Sequence, residues 1–98
     1  MAKFLVLYRS DVSAAEQMAN ATPEEAAAGM QEWMRWFEAT GEALVDGGAP
    51  TQGGDGTVGG YSILQAADLA AAQGLVADHP HRRIGTIDVL ELLQMPGM

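Results

Sequence analysis

Residues 3–9 read Lys3-Phe4-Leu5-Val6-Leu7-Tyr8-Arg9, and this stretch decides the fold. Phe4 to Tyr8 is an unbroken run of aliphatic and aromatic types, halted by the turn signal Ser10-Asp11, so it predicts a first strand. Alternate residues of a strand face opposite ways. Phe4, Val6 and Tyr8 therefore share one face, while Leu5 and Leu7 share the other. Both faces are apolar, whereas a sheet with one wet side alternates apolar with polar residues.

Working outward, Ser13 to Asn20 is alanine-rich and predicts no more than a short helical turn. Thr22-Pro23-Glu24-Glu25 opens a long helix: Thr22 caps the free amides, Pro23 takes the first helical position and Glu25 completes a capping box. Ala26, Met30, Trp33, Met34 and Phe37 follow at three- and four-residue spacing and predict the buried stripe. Gly41 ends it. Ala43 to Asp46 predicts a short second strand, Thr51 to Thr57 a glycine-rich hairpin connection, and Val58 to Gln65 a third strand. Asp68 predicts the cap of a helix running to about Asp78, stopped by His79-Pro80 because proline disfavours helical geometry in the residue before it. Thr86 to Gln94 predicts the last strand, and Met95 to Met98 a tail. The order βαββαβ gives one α+β domain over residues 1–98, ferredoxin-like, with a four-stranded antiparallel sheet and two helices on one face.

The last strand repeats the pattern of the first, with Ile87, Val89 and Leu93 on one side and Leu90 and Leu92 on the other. Ile63 and Leu64 divide likewise. Two helices cover one face only, so the other is expected to meet a second copy of the chain, and a homodimer is the expected assembly.

Composition narrows the function. The 98 residues carry a net charge of −8 and no cysteine. Thiolate metal sites and cysteine nucleophiles are excluded, and nucleic acid and anionic membrane are poor partners for so acidic a surface. No apolar run approaches the roughly 20 residues of a membrane span. The N-terminal run is too short for a signal peptide, so a cytoplasmic location is expected.

The chain resembles the YCII-related family of small dimeric α/β-barrel proteins. The resemblance is carried by Phe4 to Arg9, by Thr22-Pro23-Glu24-Glu25 leading into a tryptophan-bearing helix, and by Gly41 to Pro50. Gly60 to Asp68, His79-Pro80-His81 and Ile87 to Glu91 complete it. It implies that two sheets form a barrel, with a pocket in each subunit. In some relatives a histidine on the first helix pairs with an aspartate for acid–base chemistry. The long helix here carries no histidine, and Asp55-Gly56-Thr57 is the nearest counterpart of another branch's Asp-Gly-Pro-Phe motif.

Read from the residues themselves, His79 is the leading acid–base candidate, since histidine titrates near neutrality. Its structural alternative is a histidine closing a helix C-terminus, where the dipole favours its charged form. His81 is expected in solvent, and the two histidines without nearby acids fall short of a metal site. Asp46 is the second catalytic candidate, or else a turn aspartate bonding its own backbone. Tyr61 and Ser62 could orient a substrate, Arg9 could meet an anion, and Trp36, at the edge of the stripe, could line a pocket rim or the dimer contact, while Trp33 is read as core. The expected function is a small apolar pocket for a carbonyl-bearing or aromatic metabolite, with cofactor-independent lyase- or isomerase-like proton transfer. The alternatives are a non-catalytic binding module and, by fold analogy alone, a haem-assisted or cofactor-free monooxygenase.

Overall fold

Strand β1 (Ala2–Arg9) lies inside the sheet, antiparallel to β3 (Val58–Ala66) on one side and to β4 (Thr86–Leu92) on the other. A computed structural model describes residues 1–96; Gly97 and Met98, the end of the expected tail, lie outside the described residues. The short strand β2 (Leu44–Asp46) adds to β3, giving the order β2-β3-β1-β4 in one four-stranded antiparallel sheet. This is the ferredoxin-like arrangement, each half joined by a helical crossover.

Between β1 and β2 run α1 (Ala14–Asn20) and α2 (Pro23–Thr40); α3 (Leu69–Leu75) joins β3 to β4. The expected helical turn over residues 13–20 is thus a true short helix, capped by the Ser13 hydroxyl on the amide of Glu16. Thr22 caps α2 through the Glu25 amide, and Gly41, at φ 58°, closes it. Asp68 caps α3 through the Ala71 amide.

The core lies between α2, α3 and one face of the sheet. Phe4, Val6, Tyr8 and Leu64 point into it and meet Trp36, Ala72 and Val76. Here the expected helix stripe needs correction. Met30 and Met34 are exposed, Ala26 is exposed, and Trp36 is the buried residue of α2. The face that meets the core runs through Trp33, Trp36 and Phe37, about 50° round the helix from the expected stripe. A hydrogen bond settles the rotation: the Trp36 indole N–H donates to the Leu75 carbonyl at the end of α3 (2.9 Å), satisfying a polar atom that burial would otherwise strand.

The other face carries Leu5, Leu7, Tyr61, Ile63, Leu90 and Leu92, aligned across β3, β1 and β4. No helix covers it. Leu90 and Leu92 remain 49% and 43% exposed. Among the described residues no helix is long and apolar enough to cross a membrane.

Glycine at position 48 is required by a close approach. Its φ is +79°, and a Cβ there would lie 1.6 Å from the Tyr61 carbonyl oxygen. Gly48→Ala should therefore displace the β2–β3 connection and cost at least about 2 kcal/mol. Urea unfolding measures this, and a variant as stable as the parent would contradict the geometry.

Candidate functional site

The chain between α3 and β4 carries both histidines, and its course is set by Pro80. Helix α3 ends at Leu75, earlier than expected, and residues 80–83 form a 3-10 turn. His79, before the proline, is extended (φ −62°, ψ 138°) and caps this turn. It does not close a helix C-terminus, so the dipole argument for a charged imidazole does not apply. His81, expected in solvent, is buried at 7% exposure. Both corrections have one cause: the turn folds back onto the end of β1 instead of leaving the surface.

His79 is almost fully enclosed, at 2% exposure. Three aromatic rings surround it. The centroids of Trp33 and Trp36 each lie 4.4 Å from the imidazole, and that of Tyr8 lies 4.8 Å away. Nδ1 of His79 accepts the backbone N–H of His81 at 3.0 Å. A nitrogen that accepts holds a lone pair, so in the neutral ring the proton resides on Nε2. That Nε2 is the buried side-chain polar atom left without a hydrogen-bond partner among the described residues. Aromatic rings surround the imidazole on three sides and offer that proton no lone pair.

Below the imidazole, the Tyr8 hydroxyl and Ser62 Oγ are 2.8 Å apart, and Ser62 Oγ donates to the Gly47 carbonyl at 2.9 Å. With Ser62 donating onward, the Tyr8 hydroxyl donates to Ser62. Burial pushes the Tyr8 phenol up to about 12, partly offset by its bond to Ser62. Burial likewise pulls His79 down to about 4, helped by the neighbouring charges of His81 and Arg82. The site therefore holds a neutral imidazole and a neutral phenol at physiological pH.

Of the residues singled out in the sequence, the fold gathers His79, Trp36 and Ser62 around Tyr8, and sets the others elsewhere. Asp46 is exposed, and its Oδ1 accepts the Gly48 amide at 2.8 Å, the turn geometry named as its structural alternative. Tyr61 lies on the uncovered face, in the row of Leu7 and Asp88. Arg9 is on that face too: its Nε donates to Asp88 and its Nη1 to the Thr57 hydroxyl, which donates to Asp55. The bonds from Thr57 hold the Asp55 carboxyl below its ordinary value. A shallow open groove runs past Arg9, Asp55, Thr57 and Thr86.

Tyr8, Trp33 and His81 belong to the site although the sequence reading placed them in the first strand, in the core and in solvent. Strand alternation already sets Tyr8 beside Val6 on the helix side. No periodicity could have brought the 3-10 turn to it.

A family model for the YCII-related domain matches residues 3–96. No curated protein matches the chain. Among solved structures, the 5-chloro-2-hydroxyhydroquinone dehydrochlorinase TftG of Burkholderia phenoliruptrix AC1100, in complex with 2,5-dihydroxybenzoquinone, is similar with a TM-score of 0.57 and 15% identity. The likeness covers 99% of this chain and 96% of that one, and it shows a shared fold.

The neutral state of His79 has a measurable consequence. Its folded value lies near 4, below the roughly 6.5 of an unfolded histidine. The unfolded chain therefore binds the extra proton between these values. The contribution to stability is full above about pH 6.5 and is lost as pH falls towards 4, in total roughly 3 kcal/mol. The stability difference between the parent and His79→Gln, followed by urea unfolding from pH 7.5 to 4, should shrink across that window. A difference independent of pH would refute it.

Proposed function

The chain belongs to the YCII-related family, and we propose that it binds a small flat carbonyl compound between α2 and the sheet, polarising the carbonyl with the neutral imidazole of His79. One observation carries this reading: the Nε2–H of His79 is buried among aromatic rings and meets no acceptor among the described residues. An unmet buried donor costs on the order of 1–3 kcal/mol, and a ligand oxygen would satisfy it. The rings of Trp33, Trp36 and Tyr8 already touch the imidazole, and on parting they would stack against an unsaturated ring. Trp33 and Phe37 are only partly buried, so entry requires them to swing outward.

A neutral N–H aimed at a carbonyl oxygen stabilises the negative charge that gathers there when a neighbouring proton leaves. That is the acid half of cofactor-independent lyase- or isomerase-like chemistry. Asp46, exposed and bonded to its own turn, does not complete a pair with His79. Binding and polarisation of the carbonyl are accordingly the function proposed. The quinone bound by the dehydrochlorinase belongs to the same chemical class of ligand.

The uncovered face is assigned to a second copy of the chain. Its apolar rows of Leu5, Ile63 and Leu90 run across three strands, and a contiguous apolar patch of this kind marks an interaction surface. Sedimentation should find a dimer for the parent and a monomer for Leu90→Asp; a parent that stays monomeric at every concentration overturns the assignment.

Titration with 2,5-dihydroxybenzoquinone, followed by quenching of tryptophan fluorescence, tests the binding site. Saturable quenching is expected in the parent. His79→Phe keeps a ring in the space and removes the donor, which should weaken binding roughly tenfold. Unsaturable quenching in the parent, or equal affinity in the variant, sinks the reading.

A further inference from the structure

Nε2 of His81 lies 2.8 Å from the carbonyl oxygen of Arg9, the last residue of β1. A carbonyl only accepts, so this nitrogen carries a proton and donates. The backbone N–H of the same residue occupies Nδ1 of His79. His81 thus joins the end of the sheet to the imidazole in the aromatic cage. Its own carbonyl accepts the amides of Ile84 and Gly85, each at 3.0 Å. Gly85 leaves room for the ring: a Cβ there would lie 2.0 Å from the Arg9 carbonyl oxygen and 2.8 Å from Nε2 of His81.

We infer that His81 is the positioning residue of this site: its ring, held by the Arg9 carbonyl, keeps its backbone amide on Nδ1 of His79 and so keeps the proton of His79 on Nε2. The bond at Nδ1 is what makes His79 a donor towards the cage. If the turn loosened, the proton could occupy either nitrogen, and a fraction of molecules would present a bare lone pair to an incoming oxygen. Two acceptors repel, so that fraction would not bind a carbonyl. His81 therefore acts on the ligand through His79 without touching it. The consequence for a ligand rests on the function proposed above; the control of the tautomer does not.

Nitrogen-15 NMR of the imidazole rings at pH 7.5 reads this directly, because protonated and bare ring nitrogens are widely separated in shift. In the parent, His79 should show a protonated Nε2 and a bare Nδ1. His81→Gln, whose side-chain amide can donate to the Arg9 carbonyl, should retain that pattern. His81→Leu, similar in bulk and without a donor, should shift both His79 nitrogens towards the averaged values of an unconstrained ring. A His81→Leu protein that folds and keeps the parental pattern overturns the inference, leaving His81 a merely structural role. Should His81→Leu fail to fold, the parent decides: His81 itself must show a protonated Nε2, and a bare Nε2 refutes the anchoring bond. Quinone binding that fails while the tautomer responds removes the proposed ligand and leaves the positioning role standing. Intact binding with an unresponsive tautomer does the reverse.

Discussion

Strand β1 is hydrogen-bonded to a neighbour along each edge, so its side chains can be satisfied only above and below the sheet. Every row on both surfaces depends on that constraint. Phe4, Val6 and Tyr8 draw α2 and α3 onto one surface. Leu5 and Leu7 face the other, which α2 and α3 leave uncovered. The carboxyl end of the same strand then receives the 3-10 turn through the Arg9 carbonyl. Sheet order, core and candidate site all follow from one central strand with two apolar faces.

The element order was open to reading because each element carries local chemistry. Thr22-Pro23 starts α2, Asp68 starts α3, and the uninterrupted apolar run marks β1. What local chemistry could not give is the rotation of α2. Three- and four-residue spacing allows the stripe through Met30 and Met34 or the one through Trp36, and hydrophobicity favours neither. The choice rests on the indole N–H finding the Leu75 carbonyl, a contact between residues 39 apart in sequence.

The site was legible in part for a similar reason. His79, Trp36 and Ser62 attract attention as residue types, and the fold gathers them. Their roles depend on groups that residue types do not reveal. A backbone amide decides which nitrogen of His79 is protonated, and burial decides that the ring is neutral. Proline 80 announces that the helix has stopped but not where the chain goes next. The return of the turn to β1 turns a histidine read as an acid–base candidate into one whose Nε2 carries the proton. Asp46 illustrates the converse: a carboxylate beside two glycines looks poised for a ligand, yet its own loop claims it.

Arg9 belongs to both surfaces of the sheet at once. Its carbonyl anchors the turn on the helix side, while its guanidinium, between Asp88 and Thr57, sits on the uncovered side. A single peptide unit therefore acts as a hinge pin passing through the sheet. The residue that meets whatever rests on the uncovered face is thus the residue that carries the turn behind the imidazole cage.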